Sequence, residues 1–166
     1  MSLPPRLRKT VLTLHISTSV GWLGAVLAYL ALDITAVTSN DPQTARGAYV
    51  AMSLIVVYVI APLAIASVII GTVNALGTSW GLLRHYWVLV KLLLTIFAAG
   101  ILLAEVPTVT HLGRAAATAA DPRVLPGTLL HSIGGLTVLL LTVILSVFKP
   151  PGITPYGWRT QSARQR

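Results

Sequence analysis

The chain has 166 residues, 55% of them hydrophobic and only 10% charged, and its mean hydropathy is +0.81. A soluble domain carries about a quarter charged residues, so this composition excludes a chain that covers itself with a water-facing surface. The net charge of +8 is scattered over short stretches between apolar runs, which argues against a nucleic-acid partner and makes anionic lipid headgroups a sufficient one. The absence of cysteine excludes disulfides, thiolate chemistry, Cys-ligated zinc and iron–sulfur clusters.

Residues 1–9 form a basic arm with Pro4, Pro5, Arg6, Arg8 and Lys9. Four apolar stretches follow, at about residues 10–32, 49–73, 86–106 and 129–148, each near the ~20 residues that a spanning helix needs. The expected fold is therefore all-α, an integral membrane four-helix bundle occupying residues 10–149 as one domain. The first stretch is too long for the core of a secretory signal, and three comparable ones follow, so a retained helix is the expectation. It carries Gly21, Gly24, Ala25 and Ala28, small residues that admit a close neighbour. Residues 33–47 read as a polar loop with a turn at Asn40-Asp41-Pro42. The second helix holds Pro62 near its middle, which predicts a kink, and a small pair at Ser67 and Gly71.

Between the second and third helices lie Gly77, Gly81 and Trp80. Trp80, Tyr86 and Trp87 are expected at the membrane–water interface, where amphipathic rings collect. The third helix is expected to end at Val106, before Pro107. Residues 108–127 read as the longest loop, with an Ala-rich centre suited to a short surface helix. The fourth helix contains Gly134 and Gly135 and stops before Pro150. Residues 150–166 are a basic tail, rich in Pro, Gly and Arg, with no packed domain expected. Arg6, Arg8, Lys9, Arg84, Lys149, Arg159, Arg164 and Arg166 share one side if the helices alternate. The other side has only Arg46, Arg114 and Arg123, together with all four acids, Asp33, Asp41, Glu105 and Asp121. The Lys/Arg bias places both termini in the cytoplasm.

The chemistry-bearing residues fall into two groups. Lys91 is the one formally charged residue well inside a predicted span, and an ionisable group there normally faces a partner, ligand or cavity. Counting about 1.5 Å of rise per residue, Lys91 and His15 lie at similar depth, roughly 7–8 Å inside the boundary. His15, Thr18, Ser19 and Trp22 make one polar stripe on helix one, and Trp87, Lys91 and Thr95 make another on helix three. Lys91 by itself equally fits snorkelling to the headgroups, and His15 by itself fits a hydrogen bond to a neighbouring helix. If the stripes face each other, they make a cofactor site in which His15 ligates haem iron. Lys91 and Arg84 would then neutralise its propionates. A proton or anion path is the alternative chemistry. On the opposite side His131, His111 and Glu105, with Asp33 nearby, are imidazole and carboxylate ligands of the kind that suit copper, zinc or iron. No HxxxH or HxH spacing is present, and a His131–Glu105 contact between helices is the simpler reading. No phosphate-cradling loop or nucleophile elbow occurs, so hydrolase chemistry has no support.

The stretches LHISTSVGWLGAVLAYLAL, HYWVLVKLLLTI and HSIGGLTVLLLTVILSVFKPPGITPYG resemble a bacterial family of small four-helix membrane proteins of unknown function. More distantly they resemble the copper-resistance D-type membrane domain and the four-helix protoporphyrinogen oxidase. Those groups share a His and a W-x-G-like element in helix one, matched here by His15, Trp22 and Gly24. They also share W-x-x-x-K in helix three, matched by Trp87 and Lys91. The resemblance implies a multi-pass protein of the bacterial inner membrane, with haem b at the first-helix His and a role for the third-helix Lys. This chain departs from the oxidases, whose W-x-x-x-K element contains a His, because positions 88–90 are Val88, Leu89 and Val90. A Met- or Cys-rich copper path is also missing, since Met1 and Met52 are the only methionines. The expected function is a membrane protein holding haem or a similar group between helices one and three. The alternatives are an accessory membrane subunit, packed through its small-residue faces as a homo-oligomer or against another membrane protein, and a metal-handling protein.

Overall fold

The computed structural model describes residues 4–77 and 82–162, the side chains as far as 159. Trp80, Gly81, Arg164, Arg166 and Met1 lie outside the described residues. Helix α1 spans Pro5–Thr38, and α2 spans Pro42–Ile55. A π-helical turn, Val56–Ile60, joins α2 to α3, Ala61–Leu76. Then come α4, Tyr86–Thr118, α5, Leu129–Phe148, and a short α6, Pro155–Ser162. Pro5–Thr38, Pro42–Leu76, Tyr86–Thr118 and Leu129–Phe148 are each long and apolar enough to cross a membrane, and the chain is a multi-pass four-helix bundle.

The helices run further than the apolar stretches. Pro5 stands in the first turn of α1, where a missing N–H removes no bond. The helix then continues through Asp33 to Thr38, beyond the 10–32 stretch, because Asp33 is satisfied from the start of α5 and the hydroxyls that follow are satisfied locally. The Thr35 and Thr38 hydroxyls donate to the Ala31 and Ile34 carbonyls at 2.8 and 2.7 Å, the back-bonding by which hydroxyls are tolerated in a helix without water. The expected 33–47 loop contracts to Ser39–Asp41. Asp41 caps α2, accepting from the Thr44 and Gln43 backbone N–H groups at 2.8 and 3.3 Å.

At Pro62 the expected distortion takes a definite form. The Ala61 N–H reaches back five residues to the Val56 carbonyl, widening the turn just before a residue that has no N–H for Tyr58 and whose ring crowds the preceding turn. Pro107, by contrast, does not end its helix, which corrects the expected stop at Val106 and the loop 108–127. The Thr110 hydroxyl bonds the Val106 and Pro107 carbonyls, each at 2.9 Å, and α2 packs along the extension. A Cβ on Gly113 would stand 2.5 Å from Ser53 Cβ, so only glycine permits that approach. Arg46 closes the end, donating to the carbonyls of Ala116, Ala117 and Ala119.

The helices form a ring. α1 packs on α2–α3 and on α5, and α4 does the same, so α1 and α4 stand diagonally opposite. The core contains Trp22, Tyr29, Tyr49, Met52, Ile60 and Leu139. Val20, Leu54, Tyr58, Ile69, Phe97 and Val147 project outward, as lipid-facing positions require. Both described termini lie at one end, here the terminal end; the links 39–41 and 119–128 make the far end. The tail, expected to carry no packed structure, clips onto the α3–α4 connection at the terminal end. The Thr154 N–H donates to the Arg84 carbonyl at 3.0 Å, its hydroxyl donates to Leu83, and Ile153 pairs with His85.

Candidate functional site

In the terminal half the polar stripe of α1 meets α3 rather than α4. The imidazole of His15 lies against Gly71; a Cβ there would stand 2.7 Å from His15 Cε1. One turn deeper, the Ser19 and Ser67 hydroxyls bond each other at 2.9 Å. Ser67, Gly71 and Asn74 follow 4 + 3 spacing and share one face of α3. The Ser67 backbone also lies beside the His15 ring. Among the described residues His15 Nδ1 and Asn74 Oδ1 are buried side-chain atoms with no hydrogen-bond partner. Such atoms are uncommon in folded proteins and call for an explanation.

Lys91 is half-buried on α4. Its helix stands diagonally opposite α1. The hydroxyls that extended the two stripes are used locally: Thr18 bonds the Leu14 and His15 carbonyls, and Thr95 bonds the Lys91 carbonyl at 2.7 Å. Trp22 is 3% exposed and sits two turns deeper, in the core. Trp87 and Arg84 are half-buried at the terminal end, where the Arg84 carbonyl anchors the tail.

In the far half the arrangement is closed. Asp33 is fully buried. Its carboxylate accepts from the Thr128 N–H at 3.0 Å, the Thr128 hydroxyl at 2.9 Å and the Ser132 hydroxyl at 2.9 Å. Because Thr128 spends its proton on Asp33, Tyr29 must donate in the 2.8 Å contact between their hydroxyls. Asp33 thereby caps α5 from another helix, placing negative charge at a helix N-terminus where it is favoured. By sequence, Asp33 stands at the edge of the expected 33–47 loop. The signal that would have found it is the one that found Lys91, an ionisable residue in an otherwise helical run.

Glu105 and His131 meet at the same end, with Nε2 and Oε1 3.6 Å apart, too long for a hydrogen bond. His111 is exposed on α4. Six residues on from Glu105, it is turned about 240° around the helix. Among the described residues no three His, Asp or Glu side chains gather as a metal group. The link residues make their own pairs: Arg123 binds Asp121 at 2.8 Å and the Asn40 carbonyl at 2.9 Å. The Arg123 guanidinium holds the Asp121 carboxyl down to about 2, and the bonds from Thr44 hold Asp41 below the usual carboxylate range.

In comparisons with known proteins, no family model, no curated protein and no solved structure matches the chain. What the structure itself shows is a bundle of four long apolar helices.

Proposed function

We propose that this membrane bundle holds a prosthetic group at its terminal half, with haem b as the group that the resemblance implies. The observation that supports this reading is the buried His15 Nδ1, which has no partner among the described residues. The His15 ring lies against Gly71, with the Ser67 backbone beside it. An imidazole oriented by its surroundings, with a nitrogen left over, suits ligation. His15 would hold the group through its imidazole, while Lys91 and Arg84 would supply positive charge for its carboxylates. Haem bound in this way supplies one-electron chemistry. The residues of this chain would orient the ring, which lies against Gly71 one turn from the Ser19–Ser67 contact.

A second reading is an accessory subunit without a cofactor. It is favoured by Gly24 and Gly100, both exposed, beside which an added Cβ would meet nothing within 4 Å. Small residues facing outward suit a neighbouring membrane helix. Oxidised and reduced visible spectra of protein purified in mild detergent, from cells supplied with haem precursor, separate the two. A Soret band that is lost in His15→Ala and retained in His131→Ala is the expected result. A colourless protein that cross-links as an oligomer would replace it with the accessory reading.

A further inference from the structure

A cavity of about 200 Å³ lies in the far half of the bundle, enclosed by α1, the π-helical turn, α4 and α5. Its walls are apolar, including Trp22, Ile60, Ala98 and Leu139. Two features show how the sequence makes this space. The π-helical turn presents Val56 and Ile60 to it, and α5 contributes Gly134 and Gly135. A Cβ at either glycine would meet nothing within 4 Å. These glycines therefore do not serve close helix packing, unlike Gly71 and Gly113. Glycine weakens a helix relative to alanine, and what this pair provides here is room.

One end of the cavity is polar. Tyr29, Thr128 and Ser132 line it, but their hydroxyls are engaged in the bonds that converge on Asp33. Glu105 and His131 also line it, and at 3.6 Å they do not close on each other with a hydrogen bond. They remain able to accept from and donate to an oxygen placed beside them. The rim includes Phe97 and Leu130, which are 59% and 83% exposed and face outward on membrane-spanning helices. The opening is therefore lateral, toward lipid.

We propose that this cavity binds the head of a lipid-soluble molecule: a single six-membered ring bearing oxygen, of phenol or quinone type, whose aliphatic tail leaves between α4 and α5. Volume sets the ring count, because a dry cavity of about 150 Å³ accepts benzene, and about 200 Å³ leaves room for small substituents but not for a fused macrocycle. The Trp22 and Phe97 side chains offer aromatic faces and edges. Glu105 and His131 would read the ring oxygen. The site is separate from His15, which does not line the cavity, so its fate is independent of the haem reading.

The test is equilibrium binding to purified protein in lipid nanodiscs, using three radiolabelled probes: 4-decylphenol, decylbenzoquinone and the oxygen-free decylbenzene. Saturable binding of one or both oxygenated probes, at least about tenfold tighter than decylbenzene, is expected if the head oxygen is hydrogen-bonded by a charged or polar pair. Whichever of the two binds more tightly identifies the head. Glu105→Leu and His131→Leu together should erase that preference while leaving decylbenzene unchanged. Gly135→Leu should abolish binding of all three probes by filling the space, and Gly135→Ala, a milder change, should weaken it. Equal binding of all three probes would overturn the head-reading role of Glu105 and His131. Unaltered binding by both Gly135 variants would overturn the cavity as the site.

Discussion

At the far end of the bundle a carboxylate is fully buried and meets three donors, while at the terminal end a buried imidazole nitrogen and a buried amide oxygen meet none among the described residues. Both ends carry polar groups inside an apolar fold, so the contrast is one of satisfaction rather than polarity. A buried polar group that has its partners holds the fold together, whereas one without them weakens it. The Asp33 network is thus read as architecture, tying α1 to the start of α5. The His15 cluster is read as a place that keeps bonding capacity in reserve.

The largest effect is expected from breaking the closed end. Asp33→Leu strands the Thr128 N–H and removes three hydrogen bonds to a charged acceptor, each worth about 1.5–3 kcal/mol, while the Thr128 and Ser132 hydroxyls keep Tyr29 and the Leu129 carbonyl as partners. A loss of about 3 kcal/mol or more in unfolding free energy, measured in mild detergent, is expected. Asp33→Asn keeps one acceptor oxygen and should lose less. Next comes Gly113→Val. Its Cβ would stand 2.5 Å from Ser53 Cβ, and overpacking of this kind costs about 1–3 kcal/mol. That loss would show that the α2–α4 contact, and not local propensity, carries α4 past Pro107. Arg46→Gln removes most of the cap on the last α4 carbonyls and should cost about 1 kcal/mol.

The smallest effect is a pH dependence at the far-end links. The Asp121 carboxyl is lowered to about 2 by Arg123, and Asp41 is lowered by its bonds to Thr44 and Gln43. Carboxyls depressed in the folded state contribute stability that is fully present above their unfolded value, and it is lost as pH falls through the folded one. An acid titration monitored by unfolding should therefore lose this contribution between about pH 4 and pH 2. Asp41→Asn combined with Asp121→Asn should flatten that part of the curve. Both groups are exposed, so salt should shrink the effect.

The bundle was legible because four runs of apolar residues of spanning length admit few other arrangements. Link lengths were not, because Thr35, Thr38 and Thr110 look polar in sequence yet bond their own helix. Pro107 reads as a stop, and only the packing of α2 against Gly113 shows why the helix passes through it. At the candidate site the stripe on α1 was legible as a polar face, with Ser19 bonded to Ser67 and His15 packed on Gly71. The partner helix did not, because helical periodicity places residues on a face without saying which neighbour that face meets. Gly71 was noted as a small residue for packing, and its role against His15 appears only in three dimensions. Gly134 and Gly135 read only as residues of an apolar helix, and that they line a cavity appears only in three dimensions.

The contrast between the two ends is tested most directly by the unfolding midpoint of His15→Leu, measured beside Asp33→Leu in the same detergent. If His15 is held for a ligand rather than for the fold, replacing it removes a buried unpaired nitrogen. The His15 variant should then unfold at or above the midpoint of the parent protein when neither carries a bound group, while the Asp33 variant falls well below it. A His15→Leu midpoint lowered as far as that of Asp33→Leu would contradict the account, because it would make both ends architecture.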